Sequence, residues 1–449
     1  MVSRVAALLM ALLALASARA GAQEPLTLEQ AVSAALAGNV SMRAAMAGER
    51  EAAALADEAR SGYLPRIEYT ESWQRGNDRV YVFGSLLSQQ RFTAANFALD
   101  ALNRPDALTN YQGTFTVRQP IFDSARIAGI RSAAIGQRIA EQSTAEARAE
   151  LALDVTRAYG SALQAAAERR AADSAVEAAS GDLTRAGQRR DAGLVTEADV
   201  LSIDVFLAEM RERQIRAESG ETIARARLNR LMGVPLDRAF ALADPPVFAP
   251  SSTAPVAPAD AGPPTAANDE AVALEHRAAV RRADLHLALA GTARTAARAA
   301  FLPQVSFEGS YALNGHSFGD RASSWMVAGQ VRLNLFAGGG DAARLKAAAA
   351  AEERAMAERD GVADAVRLEV RTARAAYDAA VAREAVGRAA VLQARESQRI
   401  IRDRYEAGLA GVTDVLRAAT ALLDAETLRT ASVVDVMVGR AALDKAIGR

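Results

Sequence analysis

Two periods of apolar residues alternate along this chain. Over long stretches they recur every three or four positions, as in helices that bury one stripe. At four places the period falls to two, as in strands with one apolar and one polar face. Leu28, Val32 and Leu36 begin the first helix, and Thr27 with Gln30 fits a capping box in front of it. The pattern runs, with a break near Gly38-Asn39, to Ser61-Gly62, and Tyr63-Leu64-Pro65 ends it.

From Arg66 to Phe83 the signal is strand-like, with Ile67, Tyr69 and Trp73 on one face and Glu71 interrupting it. Residues 84–107 read as a polar loop. Tyr111 to Gln119 alternates cleanly: Tyr111, Phe115 and Val117 on one side, Gln112, Thr114, Thr116 and Arg118 on the other, with Pro120 as the stop. A helix follows, with Asp123 or Ser124 as N-cap. It is free of proline for about seventy residues, a rod of roughly 100 Å. Asp191-Ala192-Gly193-Leu194 breaks it, with Gly193 placed to take the left-handed conformation, and Thr196 with Asp199 caps the return helix to about Met232. Leu194, Ala198, Leu201, Val205, Ala208 and Ile215 are spaced like the buried seam of a coiled coil.

The same series then repeats. Asn268 or Asp269 is the expected cap of a helix carrying Val272, Leu274, Val280, Leu285 and Leu289. Phe301-Leu302-Pro303 stands where Tyr63-Leu64-Pro65 stood. In the next strand Val305, Phe307, Tyr311 and Leu313 oppose Ser306, Glu308, Ser310 and Asn314. In the last, Trp325, Val327, Val331, Leu333 and Leu335 oppose Met326, Gln330, Arg332 and Asn334. Gly338-Gly339-Gly340-Asp341 starts a second long helix, broken at Glu406-Ala407-Gly408-Leu409. Its return helix has the seam Leu409, Val412, Leu416, Ala419, Leu423 and Thr430. The tip glycines lie 215 positions apart (193 and 408), and each is followed by Asp-Val-Leu, at Asp199 and at Asp414. An internal repeat of this kind constrains a fold more than any single motif.

These patterns divide the 449 residues into a secretory signal over 1–22, a first repeat over 23–241, a linker over 242–269 and a second repeat over 270–449. The signal rests on Arg4, the apolar run Val5 to Leu15 and the small residues Ala20-Gly21-Ala22. The linker holds seven of the thirteen prolines and cannot pack a core. Net charge is −1, which offers no basic footprint for nucleic acid, and with no cysteine there is no disulfide, thiolate metal site or lipidated cysteine. Beyond the leader no apolar stretch is long enough for a transmembrane helix, so a membrane crossing would have to be made by strands.

Four strands with one apolar face match the wall of a transmembrane β-barrel. Closing a barrel takes about eight strands or more, so copies of the chain must pool theirs. The rods are too long for a bilayer and must project from it as a hollow periplasmic sheath. The sequence resembles the TolC-type outer-membrane efflux family. The resemblance rests on Leu26 to Asn39, Leu64-Pro65, Val117 to Phe122, Ala192-Gly193-Leu194 with Asp199-Val200-Leu201, and their counterparts in the second repeat, and it covers nearly all of the mature chain.

It implies a mainly α fold with a small β part. Duplicated helical hairpins form a periplasmic α-barrel, and four strands per chain join a trimeric, twelve-stranded barrel in the outer membrane of a Gram-negative bacterium. It implies a homotrimer in contact with outer-membrane lipid. A periplasmic adaptor (membrane fusion) protein and an inner-membrane transporter would dock at the tips, here Gly193, Leu194, Gly408 and Leu409. The chain would serve as the passive exit duct of an efflux or secretion system. Near the second tip Glu396, Arg399, Arg402, Asp403, Arg404 and Glu406 mix both signs. Asp403 or Glu406, repeated by symmetry, is a candidate lining of the periplasmic entrance; ion pairing on a solvated surface is the competing reading.

Nothing points to an enzyme, a cofactor or a metal. His276, His286 and His316 are scattered, and Gly338-Gly339-Gly340 lacks the Gly-Lys-Ser/Thr ending of a phosphate loop. A periplasmic coiled-coil scaffold or adaptor is the alternative function. It would share the leader and the rods but would not need four alternating strands.

Overall fold

A computed structural model describes residues 25–243 and 266–449. The expected leader, and the linker apart from its ends, lie outside the described residues. The described residues form two compact units, one of residues up to Ala47 with Gln142–Arg281 and Gly361–Arg449, the other of Gly48–Glu141 and Arg282–Asp360.

The first unit is helical, and several helices begin or end in the second. Helix α1 (Leu28–Gly38) is opened by the Thr27/Gln30 capping box, with Gln30 N–H donating to Thr27 Oγ1 at 3.2 Å and Thr27 N–H to Gln30 Oε1 at 3.0 Å. After the break, α2 (Val40–Ser61) continues. Helices α5 (Ser124–Asp191) and α6 (Glu197–Met232) make the first hairpin; α9 (Gly340–Glu406) and α10 (Val412–Ile447) make the second. Helices α7 (Ala266–His276) and α8 (Ala278–Ala299) repeat the broken pair α1–α2. Asp123, not Ser124, caps α5, accepting from Arg126 N–H at 3.0 Å. Asn268 and Asp269 do not cap α7. They lie within its first turns, where the buried Asp269 pairs with Arg374 instead.

The repeat extends to single contacts. Asn39, at the α1–α2 break, donates from Nδ2 to Leu231 O at 2.8 Å. Arg277, at the α7–α8 break, donates from Nη1 to Ala446 O at 3.1 Å. Each break is thereby held against the last turn of its own repeat's return helix. The largest apolar cluster joins α1, α5 and α6 through Ala31, Ala35, Leu151, Val155, Tyr159 and Leu228. A smaller one, Ala273, Val280, Val366, Val370 and Ala446, does the same for the second repeat.

The second unit holds one antiparallel sheet in the order β1-β2-β3-β4: β1 Arg66–Gly76, β2 Leu108–Phe122, β3 Gln304–Gly315 and β4 Ala322–Arg332. The two repeats contribute one hairpin each, and β2 pairs with β3. Three expectations need correction. The first strand ends at Gly76, and what read as its extension and a polar loop is helix α3 (Arg79–Ser88), a 3-10 turn (Ala94–Phe97) and helix α4 (Leu99–Asn103). Asp78 caps α3 by accepting from Tyr81 N–H at 2.9 Å, a local bond that outweighs the weak alternation there. Pro120 does not end β2, because a bulge between Pro120 and Phe122 absorbs the missing donor. Strand β4 stops at Arg332, short of Leu333 and Leu335.

Candidate functional site

Two regions carry the candidate chemistry, one in each unit. In the helical unit they are the hairpin tips. Gly193 and Gly408 have φ of 73° and 77°, where a side chain is disfavoured. Around each the last turn closes in the same way. Leu194 N–H donates to Arg189 O and Gly193 N–H to Arg190 O, both at 2.8 Å. Leu409 N–H donates to Arg404 O at 2.8 Å and Gly408 N–H to Tyr405 O at 3.0 Å. This is the paired closure of a helix by a left-handed glycine, in which the next apolar residue usually packs back on the third-last helical residue. Here that residue is arginine, Arg189 or Arg404, and both leucines stay out in solvent at 67% and 69% exposure.

Beneath the tips the two hairpins lock together. Ala186, Ile203 and Val412 form a buried cluster with Leu183, Val200, Tyr405 and Leu416 packed on it. Tyr405 sits with its hydroxyl buried and unpartnered. Arg189 lies 4.9 Å from its ring centroid. Burial pushes the Tyr405 phenol up, the neighbouring Arg189 opposing. Arg402 approaches Asp182 at 3.8 Å across the same junction. Nothing in the local period singled out Tyr405, but in a chain with 5% aromatics a tyrosine three positions before a tip glycine was the available signal. Of the two entrance candidates, Asp403 is paired along its own helix with Arg399 at 2.7 Å. Glu406 is exposed, and among the described residues no cation pairs with it.

The seam expected on the first return helix is corrected. Leu194, Ala198, Leu201, Val205, Ala208 and Ile215 are all exposed, Leu201 at 56% and Val205 at 61%. The apolar residues α6 buries are Ile203, Leu207, Met210, Ala224, Leu228 and Met232. Two positions turn a helix by about 200°, so Ile203 faces away from Leu201 and Val205. Helix α6 therefore has two apolar stripes, and spacing alone could not tell which one its own chain covers. On α10 the expected seam holds better, since Val412 and Leu423 are buried while Leu409 is exposed.

In the second unit the sheet sorts its side chains as the alternation predicts. Tyr69, Phe115, Tyr311 and Trp325 are cross-strand partners in succession and make one exposed aromatic row across all four strands. Ile67, Val117 and Val327 share that face. The opposite face is polar, with Arg118 between Glu68 at 3.4 Å and Glu308 at 3.1 Å. Glu71, the exception on the apolar face, is held by both Arg321 amino groups at 2.7 and 3.0 Å and by the Tyr69 hydroxyl. Gly113 lies opposite Glu71, and a side chain there would meet Tyr69, Glu71 and Arg321 within about 3 Å. Edges β1 and β4 are unpaired among the described residues.

No helix among the described residues is long and apolar enough to cross a membrane. The described residues also bring no group of three metal-ligating side chains together. The sequence pattern of the family described as outer membrane efflux protein matches residues 31–234 and 271–449. Outer membrane protein OprJ of Pseudomonas aeruginosa is 28% identical over 353 residues, 75% of this chain and 71% of OprJ. The fold matches the outer-membrane channel OprN with a TM-score of 0.76 at 22% identity, over 94% of this chain and 89% of that one. It matches the CmeC outer membrane channel of Campylobacter jejuni with a TM-score of 0.75 at 17% identity, over 94% and 85%.

Proposed function

Since this chain belongs to the outer membrane efflux protein family, we propose that it is the exit duct of a tripartite efflux or secretion system. Three copies pool their sheets into one twelve-stranded barrel in the outer membrane, their helical hairpins enclose a periplasmic passage, and substrates move through it passively. The observation that carries this reading is the four-stranded sheet with an exposed apolar face and two open edges. Such edges cannot stand in lipid and are removed by closure with further strands. The aromatic row Tyr69, Phe115, Tyr311 and Trp325 suits the boundary between hydrocarbon and headgroups. The exposed stripe of α6 supports association of copies, because a neighbouring copy would cover it.

The tips serve as the docking surface for a periplasmic adaptor that brings the inner-membrane transporter. Leu194 and Leu409 are the apolar anchors, left free because arginine occupies the position each would otherwise pack on. Glu406 lines the entrance, whereas Asp403 spends its charge on Arg399. A scaffold without a channel would share the hairpins but leaves the apolar wall without a purpose. Purified protein in planar lipid bilayers tests the reading: discrete single-channel currents are expected, and a protein that inserts no conducting unit contradicts it.

A further inference from the structure

The two strand pairs are joined differently. Residues 316–321 connect β3 to β4, while β1 and β2 are separated by a folded insert of residues 77–107. That insert is docked on the polar face of the sheet. Helix α3 lies against β2, β3 and β4, with Val82 and Ser85 buried. The following Gln89 is also buried, and its Nε2 donates to Thr109 O at 2.9 Å and to Asn110 Oδ1 at 3.0 Å. Asn110 Nδ2 in turn donates to Asn314 Oδ1 at 3.0 Å. Asn110 and Asn314 belong to the polar rows, and both are nearly inaccessible beneath the insert. The insert is also internally braced: the Phe83 and Phe92 ring centroids are 4.8 Å apart, those of Phe92 and Phe97 5.1 Å, both edge to face. A buried, fully connected amide chain of this kind fixes one position rather than a range of them.

The insert leaves large apolar side chains uncovered among exposed polar and charged ones. Val80 is 81% exposed, Leu99 77% and Phe97 65%. Such a group in water calls for a partner. The partner follows from the size of the space available, and this step rests on the trimeric barrel of the preceding section. In that barrel the polar face is the inner one, so each insert hangs in the lumen. Twelve strands about 4.8 Å apart and tilted by about 40° enclose a bore roughly 25 Å across. Three helical bodies about 10–12 Å thick fill such a bore.

We propose that the inserts of three copies meet on the barrel axis. Val80, Phe97 and Leu99 of each pack against their equivalents, so that the outer mouth of the duct is plugged at rest. The interaction surface is the free side of the insert, and its partner is the same surface on the other two copies. The polar amide contacts to the wall anchor each third of the plug, and the apolar contacts between thirds are the ones that part for cargo.

The chain has no cysteine, so single thiols report cleanly. Leu99→Cys and, separately, Val80→Cys are placed in the full-length protein in outer membranes and treated with a short bismaleimide. Denaturing gels then read the linkage. The expected result is two of every three chains linked as a pair at both positions, because three thiols around an axis leave one unpaired. Unlinked chains at both positions in a complex that is still trimeric by mass overturn the plug while leaving the duct intact. Thiols that stay unlinked yet shielded from a bulky soluble maleimide overturn it as well, since another occupant then covers the surface. A complex that is not trimeric overturns the functional reading together with the plug.

Discussion

The two helical hairpins share a skeleton and differ in what they leave uncovered. Both close on a left-handed glycine with the same pair of backbone bonds, and both leave a leucine in solvent at the tip. Beyond the tip they diverge. Where α6 exposes Leu201, Val205 and Ile215, the equivalent positions of α10 are Leu416, Thr420 and Thr430. The two threonines turn their hydroxyls onto their own helix, at Leu416 O and Glu426 O. Val412, Val415 and Leu423 of α10 are buried inside the chain, and its exposed Leu428 stands outside the positions equivalent to the α6 stripe. The duplicated element thus differs in what it covers: the second return helix turns most of its apolar residues into its own chain, and the first leaves a stripe uncovered, the one proposed to meet a neighbouring copy.

Charge placed in each stripe separates these roles most strongly. Leu201→Asp with Val205→Asp puts two carboxylates into each proposed contact between copies, at a cost of several kcal/mol per contact. Assembly is expected to fail while the helical circular dichroism of the chain survives. Leu423→Asp, buried within the chain, is expected to lower the unfolding temperature instead, with a loss of about 3 kcal/mol or more. If both variants unfold alike, the division does not exist.

At the tips the two repeats are expected to act alike. Leu194→Asp combined with Leu409→Asp should abolish efflux, read as drug susceptibility, with the trimer intact. Unchanged susceptibility would remove the docking assignment.

A smaller effect is expected within the first hairpin. Buried Glu221 on α6 accepts from Arg169 of α5 at 3.0 Å and from Arg225 at 2.9 Å. Burial alone would raise its pKa, but the two arginines outweigh it and hold the carboxyl below the usual range. The stabilisation is therefore full above the ordinary carboxylate pKa and is lost as pH falls through the lowered folded value. Glu221→Gln is expected to cost about 1–2 kcal/mol at neutral pH, discounted for the partly exposed arginines. It should also remove that part of the acid sensitivity in a pH series of thermal melts.

The caps differ too. Thr196 and Asp199 exchange hydrogen bonds at the start of α6, whereas Gly411 opens α10 with only its N–H donating to Asp414 at 3.3 Å. Thr196→Ala should cost about 1 kcal/mol, and Gly411→Ser should add a few tenths. Amide exchange at the two tips would show the second opening faster in the native protein and the gap narrowing in either variant. The smallest effect belongs to Tyr405→Phe, expected to be near neutral in thermal stability, because the hydroxyl it removes is buried without a partner.

Much of this was legible in the sequence. The offsets between repeats, the prolines that end α2 and α8, the tip glycines and the alternation of β2 and β3 all rest on local chemistry that leaves a mark in residue order. What was not legible depends on three dimensions. Helix α6 carries two stripes of the same period, and only packing chooses which is buried. Residues 79–88 are rich in β-formers, yet the Asp78 cap and the bonds of Tyr81 and Gln89 to the sheet make them a helix. Glu71 looked like a flaw in a strand because its partner Arg321 lies 250 positions away. Tyr405 and Arg189 meet only because two hairpins that are distant in sequence lie side by side.

One chain brings four strands and two open edges, which the proposed trimer pools into a closed wall. The mass of the detergent-solubilised protein, determined by sedimentation with the bound detergent subtracted, tests it most directly. Three chains per particle are expected, falling to one for Leu201→Asp with Val205→Asp. A native particle of a single chain would contradict the account.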